Sequence, residues 1–445
     1  GRSIYRRQEK EKKGFLPLKL NMTDMNFTPA VRAYTVGLLT FIYTANYVDR
    51  QIVAILLQSI KLDMGLSDTQ LGLLSGLAFA IFYATLGIPI AYLADRMNRK
   101  KIIIVSLSLF SVMTIICGYA QNFAQLLLAR IGVGVGEAGT SPPSHAMIAD
   151  MYAPNERATP LAIFALGINI GLLIAFLVGG WVNHHYGWRT AFQVVALPGL
   201  LLAVVAMFTL RDPPRGLSDG HEAQKAPPLG EVALYILHNK TLRQLIIGST
   251  LVVTVGYGAI AWLPTYFVRV HAMTTIEVGQ ILALLIGIGG GIGTALGGHF
   301  ADRLGKRDVR WNLWLIILLA LVGLPFSVGA YLATDTIWAI FLLAFPVSVG
   351  ALYFGPTLAM LHTLVKPEMR SLASAILLFI NNIIGLGLGP LMIGVLSDYF
   401  SADYGARALP YAMVTSALLA IWASFHLWLA ARTLRADIEN MGKTA

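Results

Sequence analysis

The sequence predicts an all-α membrane protein of twelve transmembrane helices in two six-helix bundles, and three observations carry that prediction. The first is composition: 56% of the 445 residues are hydrophobic and only 13% are charged, against about 25% charged in an ordinary soluble domain. A soluble globule of this size cannot hide so much apolar surface, which argues against a water-soluble enzyme. So apolar a chain is not a disordered one either. The second is a series of twelve apolar segments, most of them near the roughly 20 residues that a bilayer crossing needs. The third is an internal repeat that relates the two halves of the chain.

The apolar segments are 34–60, 71–94, 101–120, 123–149, 160–182 and 191–210, then 245–269, 278–301, 311–332, 336–365, 372–396 and 408–429. None alternates with period two, so helices are expected rather than the roughly ten-residue strands of an outer-membrane barrel. The expected organisation is an N-terminal cytoplasmic segment (1–33), a first bundle (34–210), a linker (211–243), a second bundle (244–431) and a cytoplasmic tail (432–445). The linker is the one long polar break; it contains Pro213, Pro214, Pro227 and Pro228, and residues 231–239 are expected to form a short surface helix. The polar N-terminal segment has no apolar run of the kind a cleavable signal peptide carries.

The net charge is +10, and the positions of the basic residues explain it without nucleic acid. Twenty-seven Lys and Arg fall on the side that holds both termini and the linker. Four fall on the other: Lys61, Arg189, Arg269 and Arg407. The positive-inside rule therefore puts both termini in the cytoplasm. The remaining two, Arg50 and Arg130, lie inside segments.

The repeat rests on two matches. Ala94-Asp95-Arg96-Met97-Asn98-Arg99-Lys100 closes the second segment, and Ala301-Asp302-Arg303-Leu304-Gly305-Lys306-Arg307 closes the eighth, 207 residues later. Pro154-Asn155-Glu156-Arg157 follows the fourth segment, and Pro367-Glu368-Met369-Arg370 follows the tenth, 213 residues later. Two similar halves with parallel topology point to a transporter whose site lies between them.

The run from Gly87 through Asp95-Arg96 to Asn98-Arg99-Lys100 resembles the signature of the major facilitator superfamily, with Asn98 where that signature usually has Gly. Arg130-Ile-Gly132-Val-Gly134-Val-Gly136-Glu137-Ala138 resembles its helix 4 signature. More narrowly, Leu66-Ser67-Asp68-Thr69-Gln70-Leu71-Gly72-Leu73-Leu74, Asp49, Gly134 to Ala138 and Arg211-Asp212-Pro213-Pro214-Arg215-Gly216 resemble the Spinster family. Animal members of that family move sphingosine 1-phosphate or lysophospholipids, and proton coupling is implied for some. The resemblance thus implies a secondary transporter for an amphipathic lysolipid or sphingolipid-like anion, working by alternating access and coupled to protons. The alternative is a proton-coupled multidrug exporter or a small organic-anion transporter. A monomer in the cell membrane is expected, a bacterial inner membrane being favoured.

Charges inside a span cost several kcal/mol, which singles out Asn46, Asp49 and Arg50 in the first segment and Arg130 and Glu137 in the fourth. In this architecture both segments line the central cavity. The functional reading makes Asp49 and Glu137 the proton-coupling acids, with Arg50, Arg130 and Asn46 the headgroup site. The plainer reading is a static ion-pair network holding the two helices together, although apolar packing does that job at lower cost. Tyr257, Trp262, Tyr353 and Phe354 are candidates for an apolar side of the cavity, or for lipid-facing positions. The resemblance also implies a cytoplasmic gate in which Asp95 latches to helix 11 and Asp302 to helix 5, each carboxylate facing a helix N-terminus. Arg96, Arg99, Arg157, Asp150 and Arg303 surround it; the alternative is that these basic loops only set topology.

Gly134-Val-Gly136-Glu137-Ala138-Gly139 matches G-x-G-x-x-G in form. It lies inside a span, so helix packing rather than a dinucleotide is expected. The glycine runs 287–298 and 385–389 are expected to let helices bend, as are Pro142-Pro143 and Pro356. A single cysteine, Cys117, excludes a thiolate cluster. Neither a metal site, a cofactor, a nucleophile elbow nor a P-loop lysine is read from the sequence.

Overall fold

The computed structural model describes residues 27–94, 96–153, 156–215, 227–350 and 352–444; the side chains of 294, 295, 297, 298, 302 and 440–444 fall outside the description. The described residues are helical, with no strand among them. The elements follow the twelve expected segments. In the first half they are α1 (Pro29–Met64), α2 (Asp68–Ala94), α3 (Arg99–Tyr119), α4 (Phe123–Glu137 and Ser141–Met151), and α5 (158–186) and α6 (188–209) within the run Ala158–Thr209. In the second half they are α7 (Lys240–His271), α8 (Thr275–Leu282, continuing to Gly305), α9 (Trp311–Leu332), α10 (Thr336–Val349 and Phe354–Thr363), α11 (Arg370–Ile380, continuing to Tyr404) and α12 (Ala408–Ala417 and Leu419–Thr444).

Local chemistry explains where these helices start, stop and bend. Thr28 caps α1 and Pro29 occupies its first turn, where a missing N–H costs nothing. Ser67 and Gln70 form a reciprocal capping box at the start of α2. Asn98, the residue that departs from the superfamily signature, caps α3: its side chain accepts the Lys101 N–H at 3.0 Å. Pro142 and Pro143 lack the N–H groups that would continue α4, and the helix breaks just before them, between Glu137 and Ser141. α10 breaks in the same way ahead of Pro356. The two glycine runs overlap π-helical turns, Ala283–Gly289 at the start of the run in α8 and Asn381–Leu388 in α11.

Three boundaries differ from expectation. The predicted loop 183–190 is helical apart from Gly187, whose φ of 82° and ψ of 167° make a one-residue corner. The predicted tail, 432–445, is a continuation of α12 that buries Leu434. The linker helix is Leu229–His238, anchored by buried Val232 and Ile236.

Among the described residues, eight helical runs are long and apolar enough to cross a membrane, and two of these, Ala158–Thr209 and Pro367–Glu439, each contain two of the expected segments. The expected segments outside those runs are α1, made more polar by Asn46, Asp49, Arg50 and Gln51, and α4, divided by its break. They are the two that carry the intramembrane charges. Large apolar side chains such as Phe41, Val105, Leu128, Phe208, Ile337 and Phe341 are exposed; an acyl-chain environment covers such a surface, whereas water would not.

The halves meet through α1 against α7, α2 against α11 and α5 against α8. The last two crossings bring the beginnings of α2 and α8 against the later turns of α11 and α5, at the face opposite the termini. At the terminal face Asp308 takes Arg310 at 2.9 Å and Arg435 of α12 at 2.8 Å. The Arg310 hydrogen bond holds that carboxyl below the usual range.

The turn after α7 carries a local strain that can be relieved. Gly65 ends α1 in the left-handed region at φ 65°, and Ala272 ends α7 there at φ 52°. Left-handed backbone costs an alanine roughly 1 kcal/mol that glycine avoids. Ala272→Gly should therefore raise stability by about 1 kcal/mol in thermal unfolding.

Candidate functional site

The site begins with close helix packing. A Cβ on Gly134 would meet the Phe79 carbonyl oxygen at 2.8 Å, and one on Gly136 would meet the Phe110 backbone nitrogen at 2.6 Å. Only glycine lets α4 come this near to α2 and α3. That approach carries Arg130 and Glu137 into the interior beside Asp49 and Arg50 of α1; Asp49 and Arg130 are 1% exposed, and Glu137 is 0%.

The four charges pair unequally. Arg50 donates to Glu137 Oε2 from Nη2 at 2.9 Å and from Nε at 3.2 Å. Its guanidinium also lies over the rings of Tyr83 at 4.4 Å and of Tyr47 and Phe79 at 4.9 Å, contacts that favour a cation. Asn46, one turn earlier on α1, is buried as well, and its Oδ1 and Glu137 Oε1 have no hydrogen-bond partner. Asp49 has no guanidinium partner: its Oδ2 accepts the Thr114 hydroxyl at 3.0 Å, and its Oδ1 has no hydrogen bond. Arg130 donates to the Asp49 backbone carbonyl at 3.5 Å, while its Nε and Nη2 are unpartnered. The cluster sums to zero charge, yet only one of its two acid–base pairs is closed.

Arg50 borders the space between the halves. A pocket just inside the closed face is lined by Arg50, Gln51 and Ser75 from the first half and by Tyr257, Leu386 and Pro390 from the second. Asp49, Arg130 and Glu137 lie behind it, within the first half. Of the expected cavity aromatics, Tyr257 lines this pocket. Trp262 does not: it is 0% exposed, and its indole N–H donates to the Pro390 carbonyl at 2.8 Å, a structural tie between α7 and α11. Tyr353 and Phe354 sit at the break of α10, half-buried and exposed respectively.

At the terminal face, Asp95 lies outside the described residues, as does the side chain of Asp302. Arg99 is buried and ties the first half to the linker: it bonds to the Asp150 carboxylate, to Asp212 of the linker at 2.9 Å and to the Pro213 carbonyl at 2.5 Å. Arg96 lies over the Tyr92 ring at 3.6 Å, Arg157 donates to the Tyr152 carbonyl at 2.8 Å, and Arg303 is exposed.

The cross-half bonds that sequence reasoning missed are on the other face. Arg269 of α7 holds Asp68 of α2 in a bidentate pair at 2.6 and 2.7 Å. Lys61 and Ser397 each reach the same carboxylate at 2.6 Å. The scarcity of basic residues on that side was the available signal, since Lys61, Arg189 and Arg269 are three of four there, and each has a carboxylate partner.

A twelve-segment helical chain in two repeated halves, sealed at one face and holding buried charges beside the inter-half pocket, is a secondary transporter. A family model described as Major Facilitator Superfamily matches residues 39–333, and the chain belongs to that superfamily as a transporter of Spinster type, not an enzyme. It is 35% identical over 408 residues to a protein of Mycolicibacterium smegmatis described as an MFS-type efflux pump, covering 91% of this chain and 93% of that one. It is 26% identical to protein spinster homolog 1 of Xenopus tropicalis, covering 86% and 77%. Among solved structures it matches a bacterial homolog of the human lysosomal transporter Spinster in an inward-facing, unoccupied conformation. That match has a TM-score of 0.84 and 30% identity, and covers 92% of this chain and 99% of the other.

Proposed function

We propose that this transporter moves an amphipathic anion of the lysolipid or sphingolipid class across the cell membrane by alternating access, coupled to protons. The observation that carries the reading is the Arg50–Glu137 pair beside the inter-half pocket. A proton on Glu137 would release Arg50 to an anionic headgroup, with Asn46 beside it and Arg130 behind, while Tyr257 offers the tail an apolar wall. Of the two acids, Asp49 is the one whose charge no guanidinium neutralises directly, so a proton there costs no ion pair. Asp49 is the coupling site in this reading, and Glu137 is the link between proton and substrate.

The bundles 34–210 and 244–431, joined by 211–243, rock as two bodies of a monomer, with both termini cytoplasmic. The sealed face is then the outer one, which agrees with the inward-facing conformation of the matched structure. Arg96, Arg99, Asp150, Arg157 and Arg303, with Asp95 and Asp302, belong to the cytoplasmic seal of the opposite state.

The relative described as an efflux pump favours a second reading, export of drugs. Competition separates the readings. Binding of a labelled lysophosphatidate should be displaced by other anionic lysolipids, and not by small carboxylates or cationic drugs; Arg50→Gln should weaken it at least tenfold, as expected for a charge-assisted headgroup contact. Displacement by cationic drugs, with Arg50→Gln silent, would reverse the assignment.

A further inference from the structure

We propose that the groove between α9 and α12 at the terminal face binds an anionic phospholipid with two phosphates, of the cardiolipin type, at a site separate from the substrate pocket. The site needs only that the chain spans a membrane, and no substrate assignment. Both helices pack together and turn an apolar stripe outward. On α12 it runs through Ile421, Trp422, Phe425 and Trp428, and on α9 through Leu318, Leu321 and Val322, all exposed. Spacings of three and four residues keep each stripe on one helix face, and a surface so apolar belongs against acyl chains.

Each stripe ends in tryptophan and then arginine. On α12, Arg432 follows Trp428 by one turn, and its guanidinium lies 4.9 Å from the Trp428 ring centroid. On α9, Arg310 precedes Trp314 by one turn and lies 4.6 Å from its ring. Tryptophan sits at the headgroup level of a bilayer, so these arginines stand where phosphates lie. Asp308 draws the cations of the two helices together, accepting from Arg310 at 2.9 Å and from Arg435 at 2.8 Å. The Arg435 side chain is still 55% exposed and that of Arg310 30%, which leaves N–H donors on both for a ligand. Asp437, two residues beyond Arg435, is spent elsewhere, accepting the Thr241 hydroxyl of α7 at 2.6 Å. Arg310, Arg432 and Arg435 therefore exceed Asp308 by two positive charges, the complement of two phosphates. Guanidinium pairs bidentately with phosphate, and a basic pocket between spanning helices is where such headgroups bind.

The corresponding helices of the first half, α3 and α6, have basic charge without the rest. α3 opens with Arg99-Lys100-Lys101 and holds no tryptophan, and α6 holds Trp188 at its other end. Arg99 is buried against Asp150 and Asp212. A general attraction of basic loops to an anionic leaflet would act on both halves alike, whereas a built site acts on the second alone. Lys100 and Lys101 are thus the internal control.

The test is native mass spectrometry of the full chain, delipidated in detergent and incubated with equimolar cardiolipin, phosphatidylglycerol and phosphatidylethanolamine. The parent should retain cardiolipin above phosphatidylglycerol, and phosphatidylethanolamine least. Arg432→Gln and Arg435→Gln should each lower cardiolipin retention about fivefold, the worth of one arginine at an anionic surface. Lys100→Gln and Lys101→Gln should leave it unchanged, as should Arg50→Gln, which alters the substrate pocket instead. Added cardiolipin should raise the unfolding temperature of the parent and not that of the Arg432→Gln, Arg435→Gln double variant. Parental retention in the double variant, an equal loss in the lysine controls or in Arg50→Gln, or no preference for cardiolipin over phosphatidylglycerol would overturn the site. Should loss of the Asp308 contact unfold Arg435→Gln, Arg432→Gln still decides. No substrate is present, so failure here leaves the lysolipid reading standing, and loss of that reading leaves the site.

Discussion

Glu137→Ala should destabilise the protein by about 3–5 kcal/mol, the range found when one partner of a buried ion pair is removed. Both hydrogen bonds from Arg50 end on one Glu137 oxygen, and the carboxylate is 0% exposed. Without it, the Arg50 guanidinium keeps the rings of Tyr47, Phe79 and Tyr83. Cation–π contacts of up to about 2 kcal/mol do not replace a counter-charge. The loss is electrostatic, so it should vanish when both charges go: Arg50→Met with Glu137→Met should unfold near the parental temperature and transport nothing. Thermal unfolding in detergent, followed by tryptophan fluorescence, reads both. If the single variant is as stable as the double, the pair contributes nothing and the argument from burial is wrong.

Asp49→Asn should separate coupling from folding. Asparagine has the same shape and can still accept the Thr114 hydroxyl, and Arg130 bonds to the backbone at this position, not to the side chain. Stability should change by no more than about 1 kcal/mol, the worth of a neutral hydrogen bond. Exchange of labelled for unlabelled substrate across a liposome, which needs no net proton movement, should continue. Accumulation against a gradient should stop. Retained accumulation in this variant would move the coupling role to Glu137 alone.

Much of this was legible because lipid imposes strict rules on sequence. Apolar segments of spanning length, a one-sided distribution of Lys and Arg, and a repeated Asp-Arg loop defined the fold class. The cost of burying charge picked out Asp49, Arg50, Arg130 and Glu137, and the structure brings all four together. It did not reveal the pairing. Arg50 meets Glu137, 87 residues away, because Gly134 and Gly136 let α4 approach α2 and α3; a helical wheel shows which face a residue is on, not which neighbour it reaches. For the same reason Trp262 read as a cavity residue, although its N–H is spent on the Pro390 carbonyl. Asp212 stood in a polar linker with no sign that it would take Arg99. Asp68 and Arg269 are 201 residues apart in sequence, and nothing local to either names the other. Gly187 misled differently: a polar stretch looked like a loop, and a single positive φ makes the corner within helix.

The central claim is proton-driven movement of an anionic lysolipid. Its most direct test is uptake of a radiolabelled lysophospholipid into proteoliposomes, with and without an inward proton gradient. The account predicts uptake that rises with the gradient, collapses when a protonophore dissipates it, and is insensitive to the gradient in Asp49→Asn. Lysolipid uptake that ignores the gradient in the parent, or no uptake by protein shown to be folded, would contradict it.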